Sequence, residues 1–194
     1  FDDSAWQAAV PATPPAGRLE PQDMPPIRKI EEITPLTITK IDSERYIADM
    51  GQNFSGWVRF QVNAPAKTEI QLRFAETLAA DGTLDTASTG VFATFVEQID
   101  RYTCRGNGPE TWEPRFTYHG FRYVEICGWP GTPTPADIIG VVVHTDLKTA
   151  GNFRCSDDRL NQLHQMALWT HRSNIHGIRS EEHTSELQSL LIIS

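Results

Sequence analysis

Long apolar runs are missing from this chain: the longest, IIGVVV from Ile138 to Val143, falls far short of the ~20 residues that a membrane-spanning helix needs. No membrane partner is therefore expected. Positive charge is also in deficit, with 17 Lys and Arg against 25 Asp and Glu and a net charge of -8. The basic residues are scattered, whereas a nucleic-acid surface requires them clustered, so no nucleic acid is expected either. Cysteine is scarce. Cys104, Cys127 and Cys155 are an odd number with no CxxC pair, which gives neither a disulfide framework nor a zinc pattern. They are expected to serve as small buried apolar residues. The chain has no GxSxG elbow, no GxxxxGK[ST] loop and no GxGxxG fingerprint, which removes the simplest hydrolase, NTPase and dinucleotide readings. No cofactor and no metal is expected. An initiating Met is absent too. FDDSAW opens without a charged and then apolar leader, so the start is read as the middle of something longer, and the compartment stays undecided.

What is present is an ordinary globular composition, 39% hydrophobic and 22% charged. From Pro11 to Pro26 repeated prolines remove backbone donors and force extended geometry, which marks a connector. Beyond it the hydrophobic period is two. In GWVRFQVNA, Val58, Phe60 and Val62 point one way and Trp57, Arg59 and Gln61 the other; TEIQLRFAE places Ile70, Leu72 and Phe74 inside. NAPAK between them has the composition of a hairpin connection. RYIADM, VEQIDRYTC, FRYVEICG and IIGVVVHT are further strand candidates, separated by RGNGPE and GWPGTPTP. Many short strands with no helical pattern between them predict a mainly β fold, a two-sheet antiparallel β-sandwich from about Glu32 to about Leu147.

The period then changes. SDDRLNQLHQMALWTHRSN sets Leu160, Leu163, Ala167, Leu168 and His171 on one helical face, with Ser156 as N-cap, Asp157 and Asp158 at the positive end of the dipole, and Gly177 as a stop. A stripe of this kind, following a complete sandwich, reads as the first helix of a second, helical domain.

Catalytic candidates form no constellation. His119, between aromatics and beside Gly120, reads as a hydrogen-bonded sandwich or interface histidine. His164 and His171 are too far apart for the i, i+4 chelation of HExxH helices. Glu31 with Glu32, and Asp157 with Asp158, are sequence neighbours rather than carboxyls facing each other across a pocket. Trp57, Trp112 and Trp129 suit either a sugar-stacking platform or packing in the core and between domains, and packing is the commoner use. On residues alone the result is a β-sandwich of unknown partner.

Longer phrases add a resemblance. DMGQNFSGWVRFQV, LRFAETLAADGTL, EPRFTYHGFRYVEICGWPG and VVVHTDLKTAGNFRCSDDRLNQLHQMALWTHRSNIHGI, in that order from about Ile33 to Ile178, resemble the bacterial-type α-L-rhamnosidases, a family of inverting glycoside hydrolases. The resemblance implies a sandwich packed against an (α/α)6 toroid, in which two carboxylic residues act as general acid and base on terminal α-L-rhamnose. It divides the chain into the tail of a preceding β-sandwich with its connector (1–29), the sandwich (30–148) and the start of a truncated toroid (149–178). Gly51, Gln52, Asn53, Trp57, Arg73, Glu76, His119, Gly120, Arg122 and Glu125 match its sandwich signatures and are assigned structural or domain-interface roles. None matches the family's acid or base, which lie beyond SNIHGI in a pattern like PTDCPQRDERxGW. The implied partner is a rhamnoside for the intact parent, with this piece inactive by itself. The alternatives are a non-catalytic carbohydrate-binding or structural sandwich module, and a different sandwich-plus-toroid glycosidase.

From Arg179 the chain departs from that pattern. RSEEHTSELQS coincides with a one-frame translation of a widely used short-read sequencing adapter, so 179–194 is expected to be a non-native tail.

Overall fold

In a computed structural model the described residues are 2–14, 16–21, 24–89 and 97–177; the expected adapter-derived tail lies outside them. Among the described residues ten strands and one α-helix follow in order: β1 (Ile27–Ile33), β2 (Thr37–Lys40), β3 (Arg45–Val62), β4 (Glu69–Ala75), β5 (Thr77–Leu78), β6 (Leu84–Asp85), β7 (Ile99–Thr103), β8 (Glu110–Trp112), β9 (His119–Cys127), β10 (Ile138–Thr145) and α1 (Asp158–Asn174). β1 begins at Ile27, within the stretch read as connector. Eight strands form a single antiparallel sheet in the order β1-β10-β3-β9-β4-β7, with β2 and β8 also paired to β3, and β5 pairs with β6. The mainly β sandwich is thus realised as one curled sheet. Its 18-residue β3 is long enough to pair with β2 and β9 at one end and with β10 and β8 at the other.

The period-two reading holds where it was made. Val58, Phe60 and Val62 are buried, and so are Ile70, Leu72 and Phe74, while Trp57, Arg59 and Gln61 are not. Phe54, Phe60, Phe74 and Phe121 are the largest fully buried side chains, and each such burial contributes about 1.5–3 kcal/mol. One expectation fails. NAPAK does not close a hairpin, because β3 and β4 are not partners: β9 lies between them and pairs with both. A local turn signature cannot report a strand that arrives some fifty residues later in the chain.

Between Asp49 and Phe54 the β3–β9 register slips. Asp49 is opposite Tyr123 but Phe54 is opposite Phe121, so β3 advances five residues while β9 advances two. An odd number of extra residues reverses which parity of β9 faces inward. β3 can therefore keep Tyr46, Ala48, Phe54 and Val58 in the core while β9 changes from Phe121 to Val124 and Ile126, and all seven belong to one hydrophobic cluster. GQN, the centre of the most specific sequence phrase, is this bulge, and Gly51 takes φ +75° there.

α1 is capped by Asp157 rather than Ser156. Asp157 has extended backbone, and its Oδ1 accepts the Arg159 N–H at 2.9 Å, leaving Asp158 in the first turn. No helix residue is fully buried. Leu160, Leu163 and Met166 stay exposed, and the helix docks on the sheet through Trp169, which packs against the core cluster. Only Cys104 of the three cysteines is buried; Cys127 and Cys155 are half-buried, the latter because it lies in the linker against the helix start.

Candidate functional site

The bulge is held from both sides. Asp49 Oδ1 accepts the Gly51 N–H at 2.7 Å, and its carboxylate receives Arg122 Nε and Nη2 at 2.8 and 2.9 Å. The Arg122 guanidinium holds the Asp49 carboxyl below its ordinary range, against the desolvation that pushes it up. Gln52 donates to the Asn53 carbonyl at 2.7 Å, and Asn53 Nδ2 donates to Glu76 Oε1 at 2.9 Å, tying the bulge to the end of β4.

On the sheet face opposite the core, Glu125 is 2% exposed despite its charge. Arg73 lies directly across from it on β4 and donates to Oε1 at 2.9 Å, while Arg45 on β3 reaches Oε2 at 3.3 Å. A buried carboxylate requires such partners. One acid thereby links three adjacent strands. His119 is buried, stacked on Phe74 with ring centroids 4.3 Å apart, and its Nε2 lies 3.0 Å from Asp100 Oδ1. The next residue, Gly120, donates its N–H to Gln98 Oε1 at 3.1 Å.

The three tryptophans make no common platform. Trp112 and Trp129 pack against Phe60 with ring centroids 5.5 and 5.8 Å away, on the core side. Trp57 is on the other face, where its Nε1–H donates to Glu113 Oε2 at 2.8 Å and Lys29, bonded to the same carboxylate, sits 5.6 Å over the ring. Desolvation pushes the Glu113 carboxyl up, yet Lys29 and Trp57 together hold it below the ordinary value.

The bulge, the start of β9 and α1 enclose an open cleft of about 700 Å³. Gln52, Asn53, Glu76 and Gly120 line it from the sandwich, and Gln165, Trp169, Ser173 and Asn174 from the helix. Of the ten signature positions the structure brings these four together here with Gly51 beside them; Arg73, Arg122 and Glu125 lie in the ion pairs, and Trp57 and His119 are elsewhere. Glu76 is the sole carboxylate among the described residues that line the cleft, and Asn53 already engages it. Inverting hydrolysis uses two carboxyls about 6.5–9.5 Å apart, so the described lining holds half of such a pair at most. Among the described residues no group of three metal-ligating side chains converges. Sequence reasoning missed Trp169, which breaks the leucine stripe, as well as Ser55 and His176, which carry no local signal of their pairing.

Comparison with known proteins agrees with this geometry. The model for the bacterial alpha-L-rhamnosidase concanavalin-like domain matches residues 39–144, and that for the six-hairpin glycosidase domain of the same proteins matches residues 148–181. An alpha-L-rhamnosidase of Formosa agariphila is 38% identical over 92% of this chain, and one of Streptomyces avermitilis 37% over 93%. Among solved structures, the alpha-L-rhamnosidase from Dictyoglumus thermophilum superposes with TM-score 0.81 at 44% identity over 92% of this chain. The S. avermitilis enzyme complexed with L-rhamnose superposes with TM-score 0.75 at 38% identity over 81%. The chain spans only 19% and 17% of the two curated relatives and 20% and 15% of the two structures. It belongs to the bacterial α-L-rhamnosidase family, of which it comprises the concanavalin-like domain and the start of the helical glycosidase domain.

Proposed function

We propose that this chain is the non-catalytic platform of an enzyme that hydrolyses terminal α-L-rhamnose from rhamnosides with inversion, and that it is inactive alone. The observation that carries this reading is how the signature side chains are used. Asp49 and Arg122 hold the bulge, Asn53 engages Glu76, and Arg73 and Arg45 share Glu125. Among the described residues no second carboxyl faces Glu76 across the cleft. Gly51, Gln52, Asn53, Glu76 and Gly120 then act at the seam between sandwich and helical domain. Arg73, Arg122, Glu125, Trp57 and His119 keep the strands in register. The exposed Leu160, Leu163 and Met166 suit burial against further helices of that domain. The test is incubation of the purified chain with an aryl α-L-rhamnoside. No rhamnose release is expected; heat-labile turnover would overturn the reading.

A further inference from the structure

The chain remains fastened to the sheet after α1 ends at Asn174. The Thr145 N–H on β10 donates to the Ile175 carbonyl at 2.9 Å, and the Gly177 N–H donates to Thr145 Oγ1 at 2.9 Å. Between these two bonds sits His176. Its Nε2 lies 2.9 Å from the Val143 carbonyl and 3.1 Å from Ser55 Oγ, and the buried Ser55 hydroxyl donates to that same carbonyl at 3.0 Å. The ring stacks on Tyr118, centroids 4.3 Å apart and 4° from parallel. A carbonyl only accepts, so Nε2 carries the proton and the imidazole is the donor.

We infer that His176 is a positioning residue, locking the exit of α1 to β3, β10 and the loop before β9 and so fixing the direction in which the chain leaves the sandwich. What the positioned chain leads into rests on the rhamnosidase reading; the lock itself does not. Two strands of the sheet and the loop before β9 converge on this one side chain beyond the helix. That is more than a helix end needs, since the Ile175 N–H already closes the last turn on the Arg172 carbonyl.

The lock has a titratable centre. Burial holds the His176 pKa below the ordinary 6.5 against the Val143 hydrogen bond, which pushes it up, and His144 on β10 adds repulsion to a charged ring. Its other neighbours are the Tyr118 ring and the Ser55 hydroxyl, while Arg172 on the last helical turn lies over the Trp169 ring at 5.3 Å. Among the described residues no carboxylate contributes to the shift of this ring. With the folded pKa depressed, the ring's contribution is fully present above pH 6.5 and weakens as pH falls through the lower folded value, because a charged ring keeps its Nε2 donor but bears the cost of burial.

Amide hydrogen exchange on this chain reads the lock directly, with protection factors at Thr145 and Gly177 as reporters and Val124 and Ile126 as the core control. At neutral pH, His176→Ala should lower reporter protection about fivefold to tenfold, the worth of one or two net hydrogen bonds, with the control unchanged. Wild type should lose part of that protection as pH drops below 6.5. His176→Gln, which keeps an amide donor but cannot titrate, should restore most protection and make it independent of pH. Wild-type-like reporters in His176→Ala, or surviving pH dependence in His176→Gln, would overturn the inference. If His176→Ala also exposes the core control, the pH profile of His176→Gln decides alone. Rhamnoside turnover by this chain would sink the platform reading and leave these amides unmoved.

Discussion

Gly51 and Gly56 stand five residues apart in GQNFSGW on the same strand, yet the same substitution should have different consequences at the two. A Cβ on Gly51 would meet Leu36 Cδ1 at 2.5 Å, but Leu36 is 70% exposed and its side chain can swing into solvent. What remains is the φ of +75°, which costs an L-residue roughly 1–2 kcal/mol. A Cβ on Gly56 would sit 1.9 Å from the Val141 carbonyl oxygen, which is backbone of the paired strand β10. Nothing there rotates away. β3 and β10 must separate by more than an ångström, which breaks their ladder and costs about 3 kcal/mol or more. In urea unfolding followed by tryptophan fluorescence, with a slope of roughly 2 kcal/mol per molar, the Gly51→Ala midpoint should fall by about 0.5–1 M. Gly56→Ala should fall by at least about 1.5 M or fail to fold cooperatively. Equal midpoints, or a milder Gly56→Ala, would refute the steric reasoning and the strand spacing behind it.

Two further outcomes are expected. Glu110, the buried first residue of β8, accepts from the Tyr102 hydroxyl and from the Arg105 and Gly106 N–H groups, and these bonds lower its pKa from 4.5 to about 2. Its contribution is therefore complete above pH 4.5 and is lost as pH falls toward 2; Glu110→Gln should flatten that part of the acid limb in urea midpoints, and an unchanged limb would show the carboxylate to be idle. Trp169→Ala removes the half-buried ring that docks α1, worth about 2 kcal/mol. Thermolysin should then cut within 158–177 faster by about tenfold to thirtyfold while the core amides of β9 stay protected; unchanged cleavage would place the docking elsewhere.

Alternation made the strands legible. Val58, Phe60 and Val62, like Ile70, Leu72 and Phe74, were assigned the correct face from period two alone, because a one-residue error exposes the whole set. Pairing was not legible. NAPAK looks like a hairpin from inside its own window, and only β9, contributed by residues 119–127, shows that it is not. The bulge was hidden for a related reason: its three extra residues resemble a turn unless the partner's change of parity is known. On α1 the leucine stripe was found but the docking face was not, since one tryptophan among polar residues gives no periodic signal. Family phrases marked Gln52, Asn53, Glu76 and Gly120 as important, yet only the fold shows that these four share a cleft.

The sheet's edge carries a consequence for synthesis. β1, made early, has β10 as its partner, more than a hundred residues later, and β3 waits for both β9 and β10. On a ribosome the first half of the domain must emerge with open strand edges, the slow and aggregation-exposed regime of high contact order. Closure becomes possible only once Thr145 has left the exit tunnel, a dozen residues before α1 begins. The sandwich can thus be complete when α1 appears, and Ser55, Tyr118 and Val143 are already in place to receive His176. Vectorial translation delivers the dock before the element that docks.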